Sequence, residues 1–207
     1  MIPFAPLWAA YKRIIKPNGA IVLFGSQPFT TDLINSNRKW FRYEWIWQKN
    51  MASNAQLANR QPMKKHESVL VFSCKPHIYN PLGTIPHVRN PNRNGKNRGI
   101  NGGTFVRANV PILTKAGYPS SVIDFSVERG LHPTQKPVAL FEYLIRTYTN
   151  PGELVLDNCF GSGTAAVACI QSGRRFIGIE KDPDYFAAAQ QRIRDTHRNL
   201  FTQEATA

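Results

Sequence analysis

The sequence predicts a doubly wound α/β fold, in which helices cover both faces of a central sheet. Short apolar runs alternate with amphipathic helical segments over residues 4–72 and again over residues 137–194. A glycine-rich turn, Gly161-Ser162-Gly163, separates an apolar run from a helical segment, and an acid, Glu180, ends the next apolar run. This order of strand, turn, helix, strand and acid is typical of a nucleoside-binding site.

The first 72 residues predict two helices and three strands. Apolar residues at helical spacing predict a helix over residues 4–16, and the Pro-Asn-Gly turn after Lys16 ends it. The apolar run at 20–24 is short and bounded by turn residues, which favours a buried parallel strand. The remaining elements are a polar helix at 31–37, a strand at 43–47, a polar irregular segment at 49–65 and a strand at 68–72.

Residues 73–126 break this alternation. Gly, Asn, Pro and Arg dominate the segment, and no Asp or Glu occurs between Glu67 and Asp124. Such a loop is either solvated surface or a set of cations that lie along phosphates, with Asn and Arg side chains that reach base edges. The candidate DNA-contacting cations are Arg89, Arg93, Lys96, Arg98, Arg107 and Lys115.

The last third of the chain predicts a second alternating unit. The predicted elements are an amphipathic helix at 137–148, a buried strand at 154–156, helices at 164–172 and 183–194, and a strand at 176–179, with a frayed tail from Thr196. We therefore divide the chain into residues 1–72, an inserted region at 73–126, a nucleoside-binding half at 127–195 and a tail at 196–207.

The composition favours an intracellular protein that acts on a polyanion. The formal net charge of +13 indicates a nucleic-acid partner, since no basic amphipathic helix stands out for a membrane surface. No apolar run approaches the ~20 residues that span a bilayer, and residues 1–7 lack the pattern of a signal peptide. Three cysteines without a Cys-x-x-Cys pair predict neither a disulfide framework nor a metal site. We expect a cytoplasmic location.

Two motifs, in this order, carry a resemblance to a known family. Residues 132–137 read HPTQKP, and residues 157–164 read DNCFGSGT after a buried apolar run. Together they resemble the cofactor half of β-type amino-group DNA methyltransferases, which are specific for N-4 of cytosine or N-6 of adenine. The resemblance implies a Rossmann-like methyltransferase sheet, S-adenosyl-L-methionine as cofactor, double-stranded DNA as substrate and residues 73–126 as the target-recognition region.

The resemblance also assigns the cofactor site. It implies that Asp157 lies near the methionine amino group, that Glu180 accepts the ribose hydroxyls and that residues 132–137 face the cofactor carboxylate. Asp157 as a simple capping carboxylate and Phe160 as a core aromatic remain alternatives, and Cys159 is interpreted as a small buried spacer. The implied cofactor-binding residues are Thr134, Gln135, Lys136, Pro137, Asp157, Phe160, Gly161, Ser162, Gly163, Thr164 and Glu180.

The family's catalytic tetrapeptide, Asp-Pro-Pro-Tyr or Ser-Pro-Pro-Tyr, is absent from the 207 residues. The nearest strings, at 25–29 and 182–185, fall on other elements, so no catalytic residue is assigned, and we expect the tetrapeptide upstream of Met1. In the resembled family the tetrapeptide lies on the strand that precedes the first strand predicted here. A sheet that lacks this interior strand has two unpaired edges. Three explanations remain: a start assigned too late, a decayed gene, or a fragment completed by a second polypeptide. The partner besides DNA is therefore either a complementing N-terminal fragment or a second copy in a homodimer.

The leading hypothesis is a DNA methyltransferase that acts on the exocyclic amino group of adenine or cytosine. The alternative is a non-catalytic remnant that binds DNA or cofactor. A nicotinamide-dependent oxidoreductase would explain the glycines and Glu180, but neither residues 132–137 nor the net charge of +13. An RNA substrate remains open.

Overall fold

A computed structural model of the chain describes residues 2–89, 112–128 and 135–204. The chain packs as two compact units, the larger made of Met1–Asn80 with Ser120–Ala207 and the smaller of Pro81–Pro119. In the part of the chain that the structure describes, no helix is long and apolar enough to cross a bilayer. Seven residues singled out above lie outside the described residues: Arg93, Lys96, Arg98, Arg107, His132, Pro133 and Thr134.

Helices and strands alternate at the two ends of the described chain, whereas its middle contributes several strands in succession. The first part of the chain forms α1 (Phe4–Ile14), β1 (Ile21–Gly25), α2 (Phe29–Ser36), β2 (Phe41–Ser53), β3 (Lys64–Phe72), β4 (Ile85–Arg89), β5 (Ile112–Ala116) and β6 (Val122–Asp124). The last part forms α3 (Val138–Tyr148), β7 (Leu154–Asp157), α4 (Thr164–Ser172), β8 (Arg175–Gly178) and α5 (Pro183–Glu204).

The larger unit contains a four-stranded sheet in the order β1-β3-β2-β6. The prediction of a parallel strand at 20–24 is wrong, because β1 pairs antiparallel with β3, with Leu23 opposite Leu70. An apolar run reports burial on both faces and carries no information on strand direction. Strand β6, from the segment we expected to be irregular, pairs parallel with β2 and extends the sheet.

Both faces of this sheet are covered, as a doubly wound fold requires. Helices α1 and α2 cover one face, where Trp8 and Leu33 meet Leu70 and Phe72 of β3. Helix α3 covers the opposite face, whose buried residues include Trp45, Trp47, Val69, Val71, Leu140, Leu144 and Tyr148. Successive residues of β3 therefore point to opposite cores. Trp45 and Trp47 are core residues, with exposed fractions of 3% and 1%.

Strands β7 and β8 form a second, two-stranded parallel sheet. Helices α3, α4 and α5 cover one face, on which Val155 and Phe176 are packed. The other face, which we call the exposed apolar face, carries Leu154, Leu156, Ile177 and Ile179, with exposed fractions of 44%, 36%, 49% and 54%. The prediction that Leu156 sits in a buried strand is wrong, because the described residues cover only one side of this sheet.

The two sheets are joined by helices. On one side, the Tyr11 hydroxyl of α1 donates to Asn158 Oδ1 at 2.8 Å, just after β7. On the other side, Phe141 of α3 stacks on Phe24 of β1 at 5.5 Å and also packs in the cluster that contains Val155 of β7. Among the described residues, no strand pairs with the remaining edge of β1 or of β7.

Two further predictions need correction. Helix α5 continues to Glu204, so the tail from Thr196 is not frayed over its described length. A hydrogen bond one turn apart supports the helix there, from the Thr202 hydroxyl to the carbonyl oxygen of Arg198 at 2.9 Å. The segment at 49–65 is not irregular throughout, because β2 runs on to Ser53 and β3 begins at Lys64, so that the two form a long antiparallel pair.

The smaller unit contains the antiparallel pair β4–β5, with Arg89 opposite Ile112. Glycines with positive φ flank the pair, Gly83 at 80° and Gly117 at 72°. A Cβ at Gly117 would lie 3.1 Å from the carbonyl oxygen of Gly83, so this position needs glycine for its conformation and for its close approach.

A charged cluster ties the four-stranded sheet to the segment before α3. The carboxylate of Glu67 on β3 accepts a hydrogen bond from Lys49 on β2, and its other oxygen lies 3.3 Å from Lys136 Nζ. Both ammonium groups lie over the ring of Trp47, at 4.7 and 6.0 Å, and Lys136 also lies 5.5 Å from the ring of Phe24. Burial alone would raise the pKa of Glu67, but the two lysines lower it below its ordinary value.

We expect Glu67→Gln to lower the free energy of unfolding by about 1–3 kcal/mol, because it leaves two half-buried ammonium groups without their counter-charge. The matched control is Glu142→Gln, whose ion pair with Arg146 is exposed at the surface and contributes about 0.5 kcal/mol. Urea denaturation at neutral pH measures both.

The pKa of Glu67 gives this difference a definite pH dependence. A carboxylate with a lowered pKa in the folded state stabilises fully above its unfolded pKa, and the stabilisation is lost as pH falls through the folded value. The difference in the free energy of unfolding between the wild type and Glu67→Gln should therefore disappear at acid pH. A gap that stays constant into the acid range would show that the lost stability does not come from the Glu67 charge.

Candidate nucleoside-binding site

The candidate site lies at the carboxyl ends of the parallel strands β7 and β8, the edge at which α/β sheets place ligands. Asp157 is the last residue of β7, and Glu180 follows β8 by two residues. The turn 161–163 connects β7 to α4 between these two carboxylates.

The turn requires glycine both for its backbone conformation and for its close packing. Gly161 and Gly163 have φ of 52° and 78°, a region that side chains disfavour. A Cβ at Gly163 would lie 3.0 Å from the Cβ of Ala189 on α5, so the turn also packs tightly against that helix. Gly163 is the N-cap of α4 and offers no side-chain cap, which leaves the first N–H groups of the helix near the turn.

Glu180 holds the turn from its ligand side. Its Oε2 accepts the N–H of Gly161 at 2.7 Å, and its Oε1 accepts the N–H groups of Lys181 and Asp182 at 2.9 and 3.0 Å. Hydrogen bonds from Asp182 and Gly161 lower the pKa of Glu180. The carboxylate is therefore ionised at neutral pH and fixed in position.

The pKa of Asp157 is raised, whereas that of Glu180 is lowered. Burial raises the pKa of Asp157, a hydrogen bond from the N–H of Cys159 at 3.0 Å opposes that rise, and the charge of Glu180 adds to it. Two carboxylates at one edge in a chain of net charge +13 form a local negative site. Such a site favours a cationic group, which would lower the pKa of Asp157 towards its ordinary value.

Cys159 is exposed, so its interpretation as a buried spacer is wrong. Partial desolvation of its sulfur and the charges of Asp157 and Glu180 raise the pKa of the thiol. A raised pKa leaves little thiolate at neutral pH, so the side chain is not activated as a nucleophile.

Phe160 lies beneath the turn. It is buried, stacks on Phe176 at 6.2 Å, and sits so close to Gly178 that a Cβ there would lie 2.6 Å from its ring. Its visible partners are thus residues of the protein core, and Gly178 is glycine because the ring occupies the space of a side chain.

Ser162 and Thr164 face α5. Ser162 is 2% exposed, and its hydroxyl donates to Gln135 Oε1 at 2.8 Å. Arg192 of α5 donates from Nη1 to the carbonyl oxygen of Ser162 at 2.8 Å, to its Oγ at 3.1 Å and to Thr164 Oγ1 at 3.3 Å. Arg192 was not predicted from the sequence, because no motif marks it and its contacts arise only where α5 packs against the turn.

The HPTQKP segment is described from Gln135 onward. Gln135 joins the turn through Ser162, whereas Lys136 extends to Glu67 on the four-stranded sheet. Pro137 is buried and is the N-cap of α3. The structure thus brings Gln135, Asp157, Glu180 and residues 161–164 together and places the Lys136 ammonium in the charged cluster with Lys49.

The strings nearest to the missing tetrapeptide have structural roles. Asp182 Oδ1 accepts the N–H groups of Asp184 and Tyr185 at 3.0 and 3.2 Å and so caps α5. The Gln27 side chain accepts a hydrogen bond from Thr31 in α2.

Two of the candidate DNA-contacting cations lie in the smaller unit, where Lys115 is on β5 and Arg89 ends β4.

Comparison with known proteins identifies relatives. A family model described as DNA methylase matches residues 4–191. The type II methyltransferase M.HpaI of Haemophilus parainfluenzae is 27% identical over 91% of this chain and 57% of its own length. The putative methylase YubD of Escherichia coli K12 is 49% identical over 33% of this chain and 30% of its own length. The chain therefore spans about half or less of these curated relatives.

Solved structures share the fold. A complex of M1.HpyAVI with SAM is 28% identical, has a TM-score of 0.64, and matches 93% of this chain and 82% of its own. The cytosine-N4-specific PvuII DNA methyltransferase, 16% identical, matches 95% of this chain and 76% of its own with a TM-score of 0.63. The predicted Rossmann-like α/β methyltransferase fold is confirmed. Since the family model spans most of the sequence, the chain belongs to the N-6/N-4 DNA methylase family.

Proposed function

We propose that this chain is the cofactor-binding and DNA-contacting part of a methyltransferase that transfers a methyl group from S-adenosyl-L-methionine to the exocyclic amino group of adenine or cytosine in DNA. The observation that carries the proposal is the glycine turn between the carboxylates of Asp157 and Glu180. The acidic pair fits a ligand that combines ribose hydroxyls with an ammonium and a sulfonium cation.

Each side of the turn has a role in this proposal. Glu180, fixed and ionised, accepts ribose hydroxyls, and Asp157 faces the cationic methionine end. The cofactor supplies a methyl group on sulfonium sulfur, so the protein needs to align the target amine rather than to activate it strongly. Gln135, joined to Ser162, closes the site on the side of the HPTQKP segment, where we also propose Thr134, Lys136 and Pro137 as cofactor-binding residues.

We propose residues 73–126 as the target-recognition region, between a target-base half at 1–72 and a cofactor half at 127–195, with residues 196–207 as a tail. The net charge of +13 and the absence of acids between Glu67 and Asp124 support this role. The separate compact unit Pro81–Pro119 supports a module within the region. The proposed phosphate and base contacts are Arg89, Arg93, Lys96, Arg98, Arg107 and Lys115.

We further propose that a polypeptide segment outside these 207 residues completes the sheet and carries the catalytic tetrapeptide. The unpaired edges of β1 and β7 in the described structure, with α1 and α3 on either side, fit an added strand. The exposed apolar face of β7–β8 fits the apolar side of an accompanying helix. A second copy could cover this face, but it would also lack the tetrapeptide.

The alternative function is cofactor or DNA binding without turnover, which the missing tetrapeptide favours. Either function places the chain where DNA and S-adenosyl-L-methionine occur together, and we propose a cytoplasmic location. The nicotinamide alternative receives no support, because it explains neither the family match nor the basic region.

Asp157→Ala and Glu180→Ala should each weaken binding of S-adenosyl-L-methionine about 10-fold or more, since each removes a charged hydrogen-bonding group from the site. Titration calorimetry measures the Kd, and Asp32→Ala, an exposed acid on α2, is the matched control. The affinity of the wild type should fall as pH drops through the raised pKa of Asp157, at a higher pH than an ordinary aspartate requires. Unchanged binding in both variants would remove these two residues from the site.

Replacing Arg93, Lys96 and Arg98 together with Gln should weaken DNA binding for all sequences and lower the slope of log affinity against log salt by about 2–3. The control removes three cations elsewhere, Arg13, Lys39 and Arg198. Fluorescence anisotropy at several salt concentrations distinguishes local contact from a loss of net charge. Equal slopes for the two triple variants would mean that the loop cations make no phosphate contacts.

Methyl incorporation from labelled S-adenosyl-L-methionine into unmethylated DNA tests the function. We expect activity when the 207 residues are produced with polypeptide encoded in the preceding reading frame, and none from the 207 residues alone. Activity of the short chain alone would overturn the proposed completing segment. Cofactor binding without activity in either preparation would favour the non-catalytic alternative.

A further inference from the structure

We propose that Arg192 is a positioning residue of the cofactor site, which fixes the shape of the glycine turn and joins it to the HPTQKP segment through Ser162 and Gln135. The proposal deepens the proposed function and rests on it, because it concerns how the site is held for S-adenosyl-L-methionine. Arg192 itself lies behind the turn and is not assigned to contact the cofactor.

The turn is held from two opposite sides. On the ligand side, the N–H of Gly161 is bound by Glu180 at 2.7 Å. On the α5 side, the carbonyl oxygen of the next residue, Ser162, is bound by Arg192 at 2.8 Å. The first bond fixes the plane of the peptide between Phe160 and Gly161, and the second fixes the plane of the peptide between Ser162 and Gly163. The peptide between Gly161 and Ser162 is therefore held between two fixed planes, which limits rotation within the turn.

The same guanidinium extends the restraint to a second wall of the site. Its Nη1 lies 3.1 Å from Ser162 Oγ, and that hydroxyl donates its proton to Gln135 Oε1. Because Ser162 is almost completely buried, its hydroxyl binds protein groups rather than solvent. Arg192, Ser162 and Gln135 thus form one hydrogen-bonded chain from α5 to the segment that precedes α3.

The placement of a cation here is electrostatically costly, which argues against a purely incidental contact. The guanidinium lies beside the first turn of α4, where the helix dipole favours negative charge. Burial lowers the pKa of Arg192, and the charge of Glu128 opposes that change. Glu128 also accepts the N–H of Val138 at 3.1 Å, at the start of α3. The counter-charge therefore comes from a residue that itself orders the neighbouring segment.

The apolar part of α5 does not need the guanidinium for packing. Ala189 fills the space against Gly163, and Ile193 packs on the cluster that contains Phe160. Arg192 contributes polar contacts to the turn between these two apolar contacts. A residue of similar length without donors would keep the helix in place and lose the restraint on the turn.

The test compares Arg192→Met with Arg192→Lys and with the control Arg194→Met, a neighbouring arginine on α5 whose described contact is Gln191 at the surface. The ligand is S-adenosylhomocysteine, and titration calorimetry on the full chain measures its Kd. We expect Arg192→Met to weaken binding about 10-fold, Arg192→Lys to lie between it and the wild type, and the control to equal the wild type.

Amide hydrogen exchange without ligand provides a second, local readout. In Arg192→Met, the amides of residues 161–165 should exchange faster, while those of β3 should be unchanged. A variant that merely destabilised the fold would accelerate exchange in both. Ser162→Ala, which keeps the carbonyl contact and removes the link to Gln135, should show a smaller loss of affinity.

The outcomes separate this inference from the proposed function. If the wild type does not bind S-adenosylhomocysteine, the proposed cofactor is wrong for this chain. If the wild type binds and folded Arg192→Met binds equally well, Arg192 is not a positioning residue. Failure of both Arg192 variants to fold, with a folded Arg194→Met, would also overturn the proposal, because the guanidinium would then be required by the fold rather than by the site.

Discussion

The packing of α3 between two sheets is the interaction on which the larger unit depends. The strands of the two sheets do not pair with each other in the described structure, so side-chain contacts must hold the sheets in register. Phe141 provides such a contact, because it stacks on Phe24 and also packs in the cluster with Val155. The charged cluster of Glu67 with Lys49 and Lys136 reinforces the start of the same helix. Among the described residues, α1, α3 and the ion pair between Lys16 and Glu153 connect the sheet of the glycine turn to the region around β1.

Charge is distributed unevenly between the regions of the chain. The chain carries 26 basic and 13 acidic residues, yet two of its acids, Asp157 and Glu180, lie together at the candidate cofactor edge. Arg192 and the two lysines near Glu67 bind protein oxygens in the described structure. The basic surplus is thereby available for a polyanion, while the acidic edge suits a cationic small molecule. The two proposed ligands do not compete for the same charges.

The features that were predicted correctly from the sequence are those that a few neighbouring residues determine. The turn glycines, the α4 boundaries and the position of Glu180 follow from motifs whose geometry is set within a few residues. The direction of β1 and the exposure of Leu156 depend on which strands and helices lie alongside, and an apolar run contains no such information. Arg192 was missed because its role arises from α5 meeting the turn 30 residues earlier in the chain. Exposed Cys159 shows that a small residue between motif positions need not be buried.

The exposed apolar face affects the solubility and the turnover of the chain in a cell. Four aliphatic side chains on a parallel two-stranded sheet with unpaired backbone edges are a template for self-association and a recognition surface for chaperones and proteases. If the proposed completing segment covers this face, we expect chains without that segment to self-associate or to be degraded.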